Sequence, residues 1–340
     1  MSPSVTVICI GLIVSHGRKK LLRRLVLVLI LALLAPIEVF AQAWPNRPIH
    51  VIVPQSPGSS LDIVPRAVFE QVASQLGQPI VVDNRVGAGN TIAMAAAARA
   101  EPDGYTLLIN SSTHTLVPVT FANMPFDTFR DLVPIIPLGN TPLVFVVSAS
   151  KGYKSVAEFV AAAKAKRGEM NFVSGGAGTI THFPVEAFRL TAGFEAVHIP
   201  QRGSPEALTE VLAGRADFYF SPLTPALPFL RDGKLQALAV TGSQRATALP
   251  DIPTIREAGY AEAEYNFWIG LFAPSKTPEA VLERLYREVD KALQNPSVKE
   301  RLAKLGVDPL ALDPAAFKKL LADEFALNTR VAKAAGIKPN

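Results

Sequence analysis

The sequence has few residues of the kinds that hold metal ions or form covalent crosslinks. Among its 340 residues there is one cysteine, Cys9, and there are five histidines. The histidines are scattered, so neither an H-x-x-x-H motif nor a cysteine pairing for zinc is present. A single cysteine cannot form an intramolecular disulfide. We therefore expect no disulfide, no metal ion and no cofactor.

Signatures of nucleotide binding and of repeat architectures are also lacking. No G-x-x-x-x-G-K-[ST] loop occurs. Gly87-x-Gly89 follows a predicted strand, as in dinucleotide-binding folds, but Ile92 stands where the third glycine would be. We interpret this segment as a tight turn. Without repeats or low-complexity stretches, nothing favours an exported scaffold or adhesion module.

The net charge of +5 is concentrated near the N-terminus. Five of the 34 Lys and Arg residues lie at positions 18–24, an apolar run follows at 25–34, and an A-x-A site lies at 41–43. This order is typical of a cleavable signal peptide, and the apolar run is shorter than the roughly 20 residues of a membrane span. A retained N-terminal anchor is the alternative, because residues 5–14 form a second apolar run.

The chain from residue 44 onwards is close to neutral. It carries 29 basic and 28 acidic side chains. Cleavage after residue 43 would also remove Cys9. We therefore expect an exported protein that does not bind nucleic acid.

Short apolar strands alternate with amphipathic helical segments along the chain. Strands are predicted at 49–54, 79–82, 105–109, 133–138, 143–148, 172–173, 197–200, 216–220, 235–241 and 267–273. Helices are predicted at 63–76, 92–100, 154–166, 184–190, 205–212, 279–293, 297–305 and 314–335. This alternation predicts an α/β fold with mostly parallel sheets.

The most distinctive stretch is F-V-S-G-G-A-G-T-I-T-H-F-P-V-E at 172–186. A strand end runs into three glycines and then into hydroxyl residues, and Pro184 marks the first turn of a helix. Glycines let backbone amides approach a ligand closely, and a helix N-terminus adds unpaired donors and a partial positive charge. The pattern predicts a site for a small anion such as a carboxylate or a phosphate.

Similar small polar turns follow several other predicted strands. Ligands bind beyond the carboxyl ends of strands in open parallel sheets, so these turns predict one polar cleft assembled from distant segments. No catalytic residue is predicted. The candidate ligand-binding residues are Gln55, Ser56, Gly58, Ser59, Ser111, Ser112, Thr113, Ser174, Gly176, Gly178, Thr179, Thr181, His182, Gln201 and Ser221.

Three further residues are assigned other roles. Asp62 is expected to be a helix N-cap, because a carboxylate facing an anionic guest would repel it. Trp268 is expected in the core. Arg202 is a candidate for neutralising a second carboxylate, or lies in solvent.

Ordered motifs run along the chain from Trp44 to the C-terminus. They include V-P-x-x-x-G-x-x-x-D (53–62), G-Q-P-I-V-V-x-N-R-x-G-A-G (77–89), D-G-Y-T-L-L (103–108), F-V-S-G-G-A-G-T-x-T-H (172–182), I-P-x-R-G-S (199–204) and W-x-G-L-F-A-P (268–274). No single motif is specific. The ordered set resembles the exported receptors of tripartite tricarboxylate transporters, the TctC-like or Bug proteins.

The resemblance implies a periplasmic solute receptor with a type 2 binding-protein fold, in which two α/β domains flank a hinged cleft. It implies a signal peptide at 1–43, a first domain at 44–147 completed by 266–340, and a second domain at 148–265. A small organic carboxylate (a dicarboxylate, a tricarboxylate or an aromatic acid) would be gripped by the loops 54–62 and 174–182. The implied partners are membrane subunits of a tripartite tricarboxylate-type transporter or a sensor kinase, and the receptor itself is expected to be monomeric.

Four positions depart from the family pattern, and one of them is Ser59, which follows Gly58 where a glycine pair is expected. Gln55 occupies a position that is commonly aromatic, and Gln201 replaces the aromatic residue of an I-P-Y-R/K-G element. The pocket is therefore expected to be more polar. Ser221 stands where some relatives have an aspartate suited to an amino group, which argues against an amino acid as ligand.

An exported serine hydrolase acting on a small ester or amide is the alternative from another functional class. Ser174 or Ser111 would be the nucleophile, with His182 or His114 as the base. Neither serine lies in a G-x-S-x-G elbow. We therefore expect that the protein is not an enzyme.

Overall fold

The computed structural model describes residues 44–334, which lie within one compact unit. The predicted signal peptide lies outside the described residues. None of the helices in this part of the chain is both long enough and apolar enough to cross a membrane. The strands are β1 (Ile49–Val53), β2 (Ile80–Asn84), β3 (Thr106–Ser111), β4 (Leu132–Asn140), β5 (Leu143–Ser148), β6 (Asn171–Ser174), β7 (Val197–Pro200), β8 (Phe218–Pro222), β9 (Leu235–Val240) and β10 (Trp268–Pro274).

The strands alternate with α-helices along most of the chain, as the sequence predicts. The helices are α1 (Ser60–Leu76), α2 (Thr91–Ala98), α3 (Thr113–Thr120), α4 (Thr128–Asp131), α5 (Val156–Ala165), α6 (Phe183–Ala192), α7 (Ser204–Leu212), α8 (Leu223–Arg231), α9 (Glu279–Gln294), α10 (Pro296–Lys304) and α11 (Pro314–Ala334). The α/β fold class is confirmed.

The strands form two five-stranded sheets. The first sheet has the order β2-β1-β3-β10-β4, and the second has the order β7-β6-β8-β5-β9. In each sheet one strand runs opposite to the other four: β10 is antiparallel to β3 and β4, and β5 is antiparallel to β8 and β9. Each sheet is therefore mixed, with four strands in one direction and one in the other. The reversed strands are the two that follow a crossing between the sheets. Each enters its sheet from the end opposite to the one at which the other four strands enter.

The two crossings between the sheets are hydrogen-bonded to each other. The chain passes from β4 to β5 through two residues, before the expected boundary at residue 148, and it returns just before β10. Thr241 Oγ1 donates to the carbonyl of Tyr265 at 2.9 Å and accepts from the amide of Leu143 at 3.2 Å. The amide of Thr141 donates to the carbonyl of Phe267 at 2.8 Å. These bonds tie the connections together at one place.

An aromatic cluster forms the core beneath the second sheet. Phe145 of β5 packs against Phe159 of α5 at 4.9 Å between ring centroids and against Phe218 of β8 at 5.6 Å. All three are fully buried. Such rings contribute large apolar areas, and edge-to-face contacts add to their burial. The core fixes the strands whose ends carry the polar turns.

Trp268 lies in the core of the first sheet, as expected. It is 1% exposed, and its ring meets Phe317 edge-on at 5.1 Å. Its Nε1 donates to the carboxylate of Glu324 at 2.9 and 3.0 Å. The indole is therefore a packing residue and not a wall of the cleft.

The expectation that Asp62 is a helix N-cap is wrong. Helix α1 begins at Ser60, so Asp62 lies in its first turn and Ser59 occupies the N-cap position. The Asp62 carboxylate accepts the amide of Gly58 at 3.0 Å and Nε of Arg66 at 2.8 Å. It therefore closes the turn after β1 instead of capping the helix.

Candidate binding cleft

The turns that follow β1 and β6 face each other between the two sheets. Nε2 of Gln55 lies 3.4 Å from the position that a Cβ on Gly175 would occupy. Oγ of Ser56 donates to Glu206 of α7 at 2.9 Å. Both contacts link the first sheet's side of the molecule to the second sheet's side. The structure thus brings together two of the polar turns that the sequence singled out.

A cavity of about 270 Å³ lies between these turns. Its volume is just below the roughly 300–1,000 Å³ of ligand pockets, so it admits a small molecule. Of the predicted ligand-binding residues, Gly176 and Gln201 line it directly. The full lining is Pro54, Val86, Gly87, Ala88, Gly89, Asn90, Phe121, Gly175, Gly176, Ala177, Pro200, Gln201 and Arg202.

The glycine-rich loop after β6 is held largely by its own side chains. Three of its amides donate to side chains of the loop: Gly175 to Thr181 Oγ1 (2.8 Å), Gly176 to Ser174 Oγ (3.1 Å) and Gly178 to His182 Nδ1 (3.1 Å). Oγ1 of Thr179 donates to the carbonyl of Gly176 at 2.7 Å. Within the described part of the chain, the amides of Ala177 and Thr181 have no hydrogen-bond partner. Of the two residues, Ala177 lines the cavity, so its amide remains for a guest.

The turn after β1, whose Pro54 lines the cavity, contains two buried hydroxyls that lack a hydrogen-bond partner among residues 44–334. They belong to Ser59 and Ser60, which are 0% and 1% exposed. The side chain of Gln55, 3% exposed, makes no hydrogen bond in this part of the chain either. Buried polar groups without a partner are rare and costly, so they indicate a place that something else fills. Ser59 is at the N-cap of α1, where the helix dipole favours negative charge.

The loop 87–90 lines the cavity, although the sequence was interpreted there as a tight turn. Ala88 and Asn90 have φ angles of 45° and 80°, in the left-handed region that costs residues with a Cβ energy. Such strained backbone clusters at binding sites. The sequence feature that could have identified this lining loop is the Gly87-x-Gly89 pair after a strand. Its missing third glycine excludes a dinucleotide but does not exclude a smaller guest.

Phe121 is the second lining residue that sequence reasoning missed. It follows α3 and lies against two glycines that belong to opposite sides of the cleft. A Cβ on Gly89 (φ 58°) would lie 2.6 Å from Phe121 Cζ, and one on Gly178 (φ 72°) would lie 2.9 Å from Phe121 Cε2. The ring fits only because neither position carries a side chain. No feature of the sequence marked it.

The hydroxyls at the other predicted positions bond to the protein and do not line the cavity. Their acceptors are Thr113 Oγ1 for Ser111 (3.1 Å), the Asn266 carbonyl for Ser112 (2.8 Å) and the Pro222 carbonyl for Ser221 (3.0 Å). Thr113 Oγ1 in turn accepts the amide of Ile180 at 3.1 Å, across the cleft. Together with Ser56, Thr113 therefore joins the two sides of the cleft.

The geometry does not support the serine hydrolase alternative. Ser174 is fully buried, and its hydroxyl pairs with His198 at 2.7 Å instead of His182. Ser111 bonds to a threonine and not to His114. Burial lowers the pKa of His114 to about 3. Neither predicted nucleophile–base pair is formed.

Charge at the cavity comes from one exposed arginine. Arg202 lines the cavity, and its guanidinium makes no ion pair with any residue in 44–334. The same part of the chain contains no group of three or more side chains that could hold a metal ion. The cavity is therefore lined by neutral residues, among them Ala177 with its unpaired amide, and by one cation, Arg202.

Comparison with known proteins gives a consistent result. The model of the family described as "Tripartite tricarboxylate transporter family receptor" matches residues 64–337. Protein BugT of Bordetella pertussis is 35% identical over 306 residues, which cover 89% of this chain and 93% of BugT.

Two similar solved structures contain a dicarboxylate. An R. palustris protein with adipate has a TM-score of 0.84 and 29% identity, and the match covers 87% of this chain and 100% of that one. MatC from Rhodopseudomonas palustris with bound malate has a TM-score of 0.79 and 29% identity, over 85% of this chain and 99% of that one. The family match and these likenesses agree with the two-sheet fold and the cleft. The chain belongs to the tripartite tricarboxylate transporter receptor family, whose members are solute-binding receptors and not enzymes.

Proposed function

We propose that this protein is a periplasmic receptor that binds a small organic dicarboxylate in the cavity between its two sheets. The observation that carries the proposal is the set of unpaired donors on both walls. Ala177, whose amide is unpaired, lines the cavity on the second side, and on the first side the unpaired side-chain amide of Gln55 lies against Gly175, which also lines the cavity. One carboxylate accepting from both walls would satisfy these groups at once.

Arg202 favours a second carboxylate on the same guest. A carboxylate at the donor-rich end leaves the far end of a short chain near the exposed guanidinium. Adipate and malate, seen in two relatives, both carry two carboxylates. The small cavity and the absence of an acidic lining residue argue against amino acids and larger acids.

Hydrogen bonds to one carboxylate would supply enough free energy for binding with a micromolar Kd. A micromolar Kd corresponds to roughly −8 kcal/mol. Hydrogen bonds to a charged group contribute about 1.5–3 kcal/mol each, and a few of them exceed this value before the cost of ordering is subtracted. Exclusion of water by closure strengthens each bond.

Closure would occur about the paired crossings. We infer that each sheet with its helices is one lobe, and that the lobes move about the segments around Thr141 and Tyr265. The contacts Ser56–Glu206 and Thr113–Ile180 would latch the closed form. The closed surface would then be presented to membrane subunits of a tripartite transporter or to a sensor kinase. The export signal at 1–43 would place the receptor in the periplasm.

A thermal-shift screen tests the proposal. The protein purified from the periplasm would be melted with adipate, malate, citrate, benzoate and a set of amino acids. A ligand that binds only the native state stabilises it by about 2.7 kcal/mol at 100 times Kd. We expect the largest shift with a dicarboxylate. A larger shift with an amino acid, or no shift with any acid, would contradict the proposal.

A further inference from the structure

Two histidines are stacked directly behind the glycine-rich loop. The rings of His182 and His198 are 3.9 Å apart between centroids and 13° from parallel. The ring of Phe172, on β6, is nearly parallel to both, at 4.8 Å from His198 and 6.0 Å from His182. His182 immediately precedes α6, and His198 lies on β7. Three elements of the second lobe therefore meet at this stack.

Both rings are hydrogen-bonded to the loop. Nδ1 of His182 accepts the amide of Gly178 at 3.1 Å. Nε2 of His198 lies 2.7 Å from Oγ of Ser174, which also accepts the amide of Gly176 at 3.1 Å and donates to its carbonyl at 3.0 Å. The stacked pair thus holds the loop on both sides of Ala177, whose amide is left for a guest.

The bond from Gly178 fixes the protonation of His182. A nitrogen that accepts a hydrogen bond carries no proton, so the proton of the neutral ring is on Nε2. That nitrogen lies 3.6 Å from the carboxylate of Glu186, one turn along α6. A second proton on the ring would have to go to Nδ1. It would face the amide proton of Gly178, and the bond would be lost.

The charged groups around the pair are few. On α6, Glu186 is held by Arg189 at 2.6 Å, and Arg189 also pairs with Glu195. On β7, burial and then the charge of His182 lower the pKa of His198 to about 3. His198 therefore stays neutral between pH 5.5 and 8.

We propose that His182 is a positioning residue whose unprotonated Nδ1 sets the ligand loop through Gly178, so that proton uptake by the stacked pair releases the loop and weakens carboxylate binding. The functional half of this inference rests on the proposed carboxylate site. Its structural half, the dependence of the loop on an unprotonated Nδ1, does not rest on that site. The stacked histidines and the loop that they hold lie in one lobe, and their hydrogen bonds do not depend on which acid is bound.

The structural half is tested by NMR on the ligand-free protein. Histidine side-chain ¹⁵N shifts report which ring nitrogen is protonated, and amide hydrogen exchange reports the protection of Gly178. We expect His182 to be protonated only at Nε2 at pH 8, and the Gly178 protection factor to fall as the pH is lowered to 5.5. A His182 proton on Nδ1 at pH 8, or a Gly178 protection factor that is constant over this range, would overturn the inference.

Two variants separate positioning from mere packing. In His182→Asn the side-chain oxygen can accept the amide of Gly178 but cannot titrate, whereas His182→Phe keeps the stack and removes the acceptor. His50→Gln, at an exposed position on β1, is the matched control. We expect Gly178 protection to be pH-independent in His182→Asn and lost at every pH in His182→Phe. Equal behaviour of the Asn and Phe variants would show a packing role only.

The functional half uses calorimetric titration with adipate and malate between pH 5.5 and 7.5, with each affinity referred to the dianion because the second carboxyl of these acids is partly protonated at pH 5.5. Affinity should be about tenfold weaker at pH 5.5 than at pH 7.5 in the wild type and in His50→Gln. It should be nearly constant in His182→Asn. The same pH dependence in His182→Asn would overturn the link to binding. Absence of binding by all acids would instead count against the proposed function.

Discussion

In the proposed site, Arg202 is the residue that would recognise the second carboxylate of a guest. It is exposed, it lines the cavity, and it has no acidic partner among the described residues. Because it is exposed, solvent screens its charge, and an ion pair there contributes roughly 1 kcal/mol. On the proposed function, Arg202 would therefore discriminate between guests, and the unpaired donors would supply most of the affinity.

Arg202→Gln should weaken binding of adipate about fivefold and leave binding of the monocarboxylate hexanoate nearly unchanged. Calorimetric titration of both acids gives the comparison. Arg231→Gln is the control, because Arg231 is another exposed cation, at the end of α8, and does not line this cavity. Equal losses for adipate and hexanoate would show that Arg202 does not contact the second carboxylate.

At the scale of secondary structure, helix α11 is docked on the first sheet through a carboxylate. Glu324 accepts from Trp268 Nε1 of β10 and lies 3.3 Å from Oγ1 of Thr115 in α3. Burial raises the pKa of Glu324 to about 7, against the lowering effect of these hydrogen bonds. Between pH 4.5 and 7 the folded protein therefore holds a proton that the unfolded chain releases. The stability that this group contributes is fully present below pH 4.5 and is lost as pH rises through 7.

Glu324→Gln should remove this loss, because a neutral amide can still accept from Trp268. The stability of the variant relative to the wild type should rise with pH, by at most about 3 kcal/mol between pH 4.5 and 8. Urea unfolding at several pH values measures it. Protonation of buried His114 and His198 lowers the free energy of unfolding in acid equally in both proteins, so their effect cancels in the difference. Asp323→Asn, on the exposed side of α11, should show no such trend, and a flat difference for Glu324→Gln would contradict the assignment.

The sequence predicted most elements because most are strongly patterned. Apolar strands such as Leu143–Ser148 and Val197–Pro200 were located to the residue. Helices α3 and α8 were missed because Pro118 and Pro228 lie inside them, and internal proline normally argues against a helix. Strand direction was not predictable, because the apolar pattern of a buried strand is the same whether it runs parallel or antiparallel to its neighbours.

The cleft was predictable only in part, for a related reason. The turns at Gln55 and Gly176 carry their own local signal of glycine and small polar residues. Phe121 carries none, since a partly buried aromatic residue after a helix is ordinary. Its position between Gly89 and Gly178 is a product of the tertiary fold. Which amides remain free likewise depends on the bonds inside the folded loop.

At the scale of the whole molecule, the proposed function requires the two lobes to close on the guest. Gly178 is a sensitive point, because a Cβ there would lie 2.8 Å from Thr120 Oγ1 and 2.9 Å from Phe121 on the opposite lobe. Gly214 has the same φ of 72° and nothing within 4 Å of an added Cβ. Alanine at either position carries the same backbone strain, but only at 178 does it obstruct closure.

Calorimetric titration of adipate and malate into the wild type, Gly178→Ala and Gly214→Ala is the most direct test of binding between the lobes. The wild type and Gly214→Ala should bind one of these acids equally well. Gly178→Ala should bind it at least about tenfold more weakly, although its melting temperature should match that of Gly214→Ala. Equal affinity in the two variants would contradict a site that needs the lobes to close, and heat from neither acid in the wild type would contradict a dicarboxylate receptor.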